Sequence, residues 1–117
     1  MIAIVDDDDD VREALEGYLQ SLRYQTQTFA SAEAFLASPE RAAVDCMILD
    51  NRMPGLSGLE LLKILKSEAD ALPVIFMTSY GDEGTRTAAL SAGAAFFLSK
   101  PVNLQALTDC LRSLPGR

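Results

Sequence analysis

Residues 46–62 read CMILDNRMPGLSGLELL, and the order of features along this stretch decides the fold. Cys46, Met47, Ile48 and Leu49 form a continuous apolar run that stops abruptly at Asp50. A short run without polar alternation suits a strand buried on both faces, as in a parallel sheet covered by helices. Pro54, Gly55 and Gly58 mark the turn that follows. Ser57 and Glu60 then stand at the spacing of a capping box, in which each side chain satisfies one orphan backbone N–H of a helix start. Strand, turn and capped helix follow one another, which is a β–α unit.

The same unit recurs on either side. Ile2 to Val5 is apolar and precedes an acidic turn, after which Val11, Leu15, Tyr18, Leu19 and Leu22 recur at helical spacing. Asp9 or Asp10 is expected to cap this helix, with Asp10 and Glu13 at capping-box spacing. Gln25 to Phe29 predicts a second strand, and Ser31 opens a short helix through Leu36 that Pro39 is expected to close. Val74 to Met77 predicts a fourth strand, followed by a helix from about Glu83 to Ser91 ended by Gly93. Phe96 to Leu98 is the core of a fifth strand. Asn103 caps a last helix whose Leu104, Leu107, Leu111 and Leu114 are expected to form one apolar stripe, ended by Pro115 and Gly116.

Strands alternating with helices in this way predict an α/β fold, a doubly wound five-stranded parallel sheet with right-handed crossovers. One domain over residues 1–117 is expected, without internal repeat or linker. Ten Lys plus Arg against seventeen Asp plus Glu give a formal net charge of -7, which opposes direct binding to nucleic acid. No apolar run approaches the length of a membrane span, and Met1 leads straight into a strand without a signal-peptide pattern, so a cytoplasmic protein is expected. Cys46 and Cys110 fall on apolar positions and are read as buried, reduced thiols. The chain has no His, which excludes a phosphohistidine acceptor and a Ser-His-Asp triad within it. Acid and base chemistry is left to carboxylates, Lys, Tyr or water.

In open parallel sheets the functional crevice lies at the carboxyl ends of the strands. There the sequence places Asp6 and Asp7 after the first strand, Asp50 after the third, Thr78 and Ser79 after the fourth, and Lys100 before Pro101 after the fifth. Crowded carboxylates raise one another's pKa or demand a counterion. Oxygen ligands without His or Cys favour a hard ion, Mg²⁺ or Mn²⁺ in its place. A solvated acidic turn is the plain alternative. A carboxylate attacks a phosphoryl group when metal and ammonium neutralise the developing charge, and Asp50 with Lys100 and a cation has those parts. Thr78 is either a hydrogen-bond donor to that group or an ordinary strand-end hydroxyl.

The segments IVDDDDDVR (4–12), ILDNRMPGLSGLELL (48–62), VIFMTS (74–79) and FFLSKP (96–101) together resemble receiver domains of two-component response regulators. SAEAFL (31–36) and MTSYGD (77–82) are similar to the FixJ-like group. The resemblance covers nearly the whole chain and implies a CheY-like, flavodoxin-like (βα)5 fold with strand order 2-1-3-4-5. It implies that Asp50 is the phosphoacceptor, that Asp7 binds the metal directly and Asp6 through water, and that the Arg52 backbone carbonyl completes the protein's ligands. Lys100 would bind the phosphoryl group, Thr78 would move to it, and Phe97 would change rotamer in response. Arg52 and Tyr80 would tune the lifetime of the acyl phosphate. The implied partners are a sensor histidine kinase and a second copy docking through the fourth helix and fifth strand, with a DNA-binding effector domain in longer relatives. Such a domain is not a conventional enzyme: it catalyses only its own phosphorylation and dephosphorylation.

One departure and two competing classes test the resemblance. Asp8, Asp9 and Asp10 extend the usual acidic pair to five consecutive Asp residues, and the extra three are expected to face solvent or cap the helix. An Asp-nucleophile phosphohydrolase also combines Asp, Mg²⁺ and Lys, but places a second Asp two residues after the nucleophile, where this chain has Arg52. A nucleotide- or flavin-binding module is disfavoured, since Gly55 to Gly58 lacks the Lys-Ser/Thr of a P-loop and no GxGxxG follows the first strand.

Overall fold

The computed structural model describes residues 1–68, 71–79 and 83–114. Its strands are β1 (Ile2–Val5), β2 (Thr26–Phe29), β3 (Cys46–Asp50), β4 (Val74–Ser79) and β5 (Phe96–Lys100). Its helices are α1 (Asp9–Ser21), α2 (Ala32–Leu36), α3 (Gly58–Ser67), α4 (Glu83–Ser91) and α5 (Leu104–Ser113), with a single 3-10 turn at Arg41–Ala43. All pairings are parallel and the order is β2-β1-β3-β4-β5. The expected doubly wound sheet is what forms.

Successive strand residues point to opposite faces, so each apolar run feeds two cores. Ala3, Val5, Met47, Leu49, Val74 and Phe76 pack with Phe35 of α2, Leu61 and Leu65 of α3 and Ala89 of α4. Ile2, Ile4, Cys46, Ile48, Ile75 and Met77 pack with Leu15 and Leu19 of α1 and Leu107 and Cys110 of α5. Phe96 and Phe97 divide in the same way, one to each core. Among the described residues no helix is long and apolar enough to cross a membrane.

The helix ends show where pattern and structure part. Ser31, Ser57 and Asn103 cap α2, α3 and α5 as expected, and Ser57 with Glu60 makes both bonds of the capping box. The α1 cap is Asp8, not Asp9 or Asp10: its carboxylate accepts from Asp10 N at 2.9 Å and Val11 N at 3.3 Å. Asp8 alone has the extended backbone that a cap needs, because Asp9 and Asp10 are already helical. Helix α2 ends at Leu36, ahead of Pro39, and Gly93, at φ 101°, follows the end of α4.

The α5 stripe is also corrected. Leu107 is buried and Leu111 and Leu114 are half-buried, but Leu104 is 41% exposed. The inward face instead includes Thr108, whose hydroxyl is satisfied by Tyr18 Oη at 2.6 Å and the Leu104 carbonyl at 3.0 Å. Pro115 and Gly116, expected to end this helix, lie outside the described residues.

Candidate phosphoryl and metal site

Strands β3, β4 and β5 run further than their apolar cores, because the ladder continues through Asp50, Thr78 and Lys100. Each of these residues is therefore held by sheet hydrogen bonding at the carboxyl edge of the sheet. Asp6 follows β1 directly and its backbone N–H donates to the Phe29 carbonyl at 3.1 Å. The carboxylates of Asp6, Asp7 and Asp50 offer oxygen atoms that all lie within 4.8 Å of one another. Asp6 and Asp50 are buried while Asp7 is exposed, so the cluster opens to solvent on one side.

Lys100 enters this cluster from β5. Its Nζ donates to Asp6 Oδ2 at 2.9 Å and lies 3.0 Å from Asp50 Oδ1. One ammonium thus serves two buried carboxylates. Burial pushes the Asp50 carboxyl above its ordinary range; the hydrogen bond from Lys100 opposes this, while Asp6 and Asp7 add to the rise. Burial pulls the Lys100 ammonium down, but its hydrogen bonds to Asp6 and Asp50 outweigh that and leave it above its ordinary value. Among the described residues, Lys100 is the cation paired with these carboxylates, and it pairs with two of the three. Hard oxygen donors in this number, without His or Cys beside them, fit a divalent cation such as Mg²⁺.

Thr78 is 1% exposed and its Oγ1 has no hydrogen-bond partner among the described residues. A buried hydroxyl left unpaired is uncommon and costs about 1–3 kcal/mol. Phe97 is half-buried and stacks on Phe76, two residues before Thr78 on the same face of β4. Arg52 sits in the β3–α3 turn with its side chain exposed. Tyr80 lies outside the described residues.

Arg12, Asn51 and Glu33, which the sequence pattern did not single out, shape the loops around this crevice together with Gly58. Arg12 donates through Nη1 to the Asp6 carbonyl at 2.6 Å and pairs through Nη2 with Asp9, so it ties the acidic turn to α1. Asn51 caps the approach to α3, accepting from Leu59 N at 3.1 Å through its side chain and from Gly58 N at 2.9 Å through its carbonyl. Gly58 packs so close that a Cβ there would overlap the Asp50 carbonyl oxygen. Glu33 of α2 accepts from Leu56 N at 3.2 Å and fills the space beside Gly55, whose φ is 78°. The positions of Gly55 and Gly58 in the turn were the available signal for the last two contacts. Nothing local in the sequence marks Arg12 or Asn51.

Fold and site together define a doubly wound α/β domain with a lysine-bridged carboxylate cluster, fit for a divalent cation, at the carboxyl edge of its sheet. The family model of the response regulator receiver domain matches residues 2–112, and the chain belongs to that family. It is a phosphoacceptor domain of two-component signal transduction. The chain is 38% identical over 113 residues to the response regulator protein TodT of Pseudomonas putida, covering 97% of this chain and 50% of TodT. It is 40% identical over 116 residues to the transcriptional regulatory protein FixJ of Azorhizobium caulinodans, covering 99% of this chain and 55% of FixJ. The crystal structure of FixJ-N superposes with a TM-score of 0.86 at 32% identity, over 99% of this chain and 96% of that one. The chain spans about half the length of the relatives TodT and FixJ.

Proposed function

We propose that Asp50 is the residue phosphorylated in this domain, with Asp6, Asp7, Asp50 and the Arg52 backbone carbonyl as the protein's ligands to Mg²⁺, or to Mn²⁺ in its place. The observation that carries this reading is Lys100 Nζ placed between Asp6 and Asp50, whose carboxylates cluster with that of Asp7. A bound divalent cation would supply positive charge to the carboxylates and to the incoming phosphoryl oxygens. An Asp50 carboxylate oxygen attacks phosphorus, the P–N bond to the donor imidazole breaks, and the product is an acyl phosphate on Asp50. Lys100 neutralises charge on the transferred group, and Thr78 donates its unpaired hydroxyl to a phosphoryl oxygen. Phe97 then turns into space that Thr78 has altered, and the surface of α4 and β5 changes with it.

On this reading the whole of residues 1–117 is one receiver unit, not a conventional enzyme, whose chemistry is confined to its own phosphorylation and dephosphorylation. Its phosphodonor is a sensor histidine kinase. Its phosphorylated form pairs with a second copy through α4 and β5, and Arg52 and Tyr80 set how long the phosphate survives. The formal charge of -7 supports leaving any DNA contact to an effector domain beyond this unit. Two free, buried cysteines fit the reducing cytoplasm as its compartment.

Incubation with acetyl phosphate and Mg²⁺, followed by intact-mass analysis, tests the assignment. One added phosphoryl group is expected, lost with EDTA and absent from Asp50→Ala. Equal labelling of Asp50→Ala would remove the central claim.

A further inference from the structure

The aromatic ring at position 97 makes two contacts of different kinds. It stacks on Phe76 with ring centroids 6.3 Å apart and an interplanar angle of 19°. The Arg86 guanidinium carbon lies 5.7 Å from the same ring centroid. Phe76 is fully buried and Arg86 is exposed, so one partner belongs to the core and the other to the surface of α4. Among its described residues α4 buries only Ala89, so this helix has few other anchors.

On the proposed switch reading, the second direction in which the ring turns is toward Thr78. Thr78 follows Phe76 on the same face of β4, and its hydroxyl is buried without a partner among the described residues. A change between staggered χ1 wells carries a phenyl centroid roughly 4–5 Å. A guanidinium holds an aromatic face only within about 6 Å of the centroid. Arg86 is already near that limit, so a centroid displacement of this size away from the guanidinium breaks the contact. An interaction made in one of two states shifts the equilibrium toward that state by its own strength.

We infer that Arg86 is a positioning residue, which holds Phe97 in its present orientation and thereby limits how much of the unphosphorylated domain occupies the switched state. This rests on reading Thr78 and Phe97 as the switch. At an exposed site such a contact changes the equilibrium roughly two- to fivefold.

The test uses amide NMR spectra of the unphosphorylated domain and of the domain saturated with Mg²⁺ and beryllofluoride, a phosphoryl mimic. The position of the Thr78 amide peak between these end points reports the switched population. Arg86→Met, which keeps the length and removes the cation, should raise that population roughly two- to fivefold. Arg86→Lys should fall between parent and Arg86→Met. In a Phe97→Leu background Arg86→Met should change nothing. Unmoved peaks in Arg86→Met, with beryllofluoride still shifting them, would overturn the restraint and leave the switch standing. The same shift with Phe97→Leu, or a lysine variant indistinguishable from methionine, would also overturn it. If beryllofluoride leaves the Thr78 peak in place, the switch reading itself falls, and the role of Arg86 with it.

Discussion

Burial pushes the Asp50 carboxyl upward, and the hydrogen bond from Lys100 only partly offsets it. A carboxyl whose folded-state pKa exceeds its unfolded value of 3.8 contributes stability at pH below that value, and the contribution is lost as pH rises through the folded one. Near neutral pH the metal-free domain therefore carries an unfavourable charge at Asp50. Asp50→Asn removes it without stranding Lys100, which keeps Asp6 at 2.9 Å. In EDTA near neutral pH, Asp50→Asn should gain on the order of 1 kcal/mol, a rise in Tm of about 4 °C. The gain should vanish near pH 3, where both states protonate Asp50. Thermal unfolding followed by circular dichroism at the two pH values checks this, and a lower Tm near neutrality contradicts it. Asp6, Asp7, Asp50, Thr78 and Lys100 were legible in the sequence because each stands where an apolar run stops. The sharing of Lys100 by Asp6 and Asp50 was not, since it joins residues 94 positions apart through the sheet. The Thr78 hydroxyl, unpaired among the described residues, was equally hidden, because hydrogen-bond satisfaction leaves no trace in a sequence.

At the level of elements, β3, which carries Asp50, and the helix after it are locked by backbone contact. Gly58 N donates to the Asn51 carbonyl at 2.9 Å, and a Cβ at position 58 would overlap the Asp50 carbonyl and stand 2.9 Å from Asn51 Cα. Backbone cannot give way as a side chain can, so Gly58→Ala must displace either α3 or the end of β3. A loss of roughly 1–3 kcal/mol is expected, with slower labelling of Asp50 by acetyl phosphate. Gly17, on α1, is the control: it is exposed, and a Cβ there meets nothing within 4 Å. Gly17→Ala should stabilise by roughly 0.5–1 kcal/mol with labelling unchanged. Urea unfolding and mass-resolved labelling of the two variants separate these outcomes, and a Gly58→Ala protein as stable and reactive as its parent would refute the contact. The capping box of α3 was legible because Ser57 and Glu60 are distinct in kind from their neighbours. The α1 cap was not, because Asp8, Asp9 and Asp10 are chemically identical and only the extended backbone at Asp8 distinguishes them.

For the molecule as a whole, periodicity reaches a doubly wound sheet but not its strand order, which the family resemblance implied and the structure bears out. The physical reason lies in the edges. β1 and β3 are buried throughout, as central strands must be, whereas β2 and β5 are mostly half-buried. The polar Thr26, Gln27 and Thr28 betray β2 as an edge, but Phe96, Phe97 and Leu98 make β5 read like an interior strand. That order brings β1 and β3 side by side and with them Asp6, Asp7 and Asp50, in a chain already carrying a net charge of -7. A cation that binds only the assembled cluster stabilises the fold by mass action, roughly 2.7 kcal/mol at a hundredfold excess over Kd. Mg²⁺ at millimolar concentration should therefore raise Tm by several degrees relative to EDTA, whereas NaCl of equal ionic strength acts only by screening and should do much less. Asp7→Asn, at an exposed position, should abolish the Mg²⁺ increment while leaving the Tm in EDTA at or above that of the parent. Equal increments from Mg²⁺ and NaCl, or an increment that survives Asp7→Asn, would mean that charge in general and not this cluster is what the cation relieves.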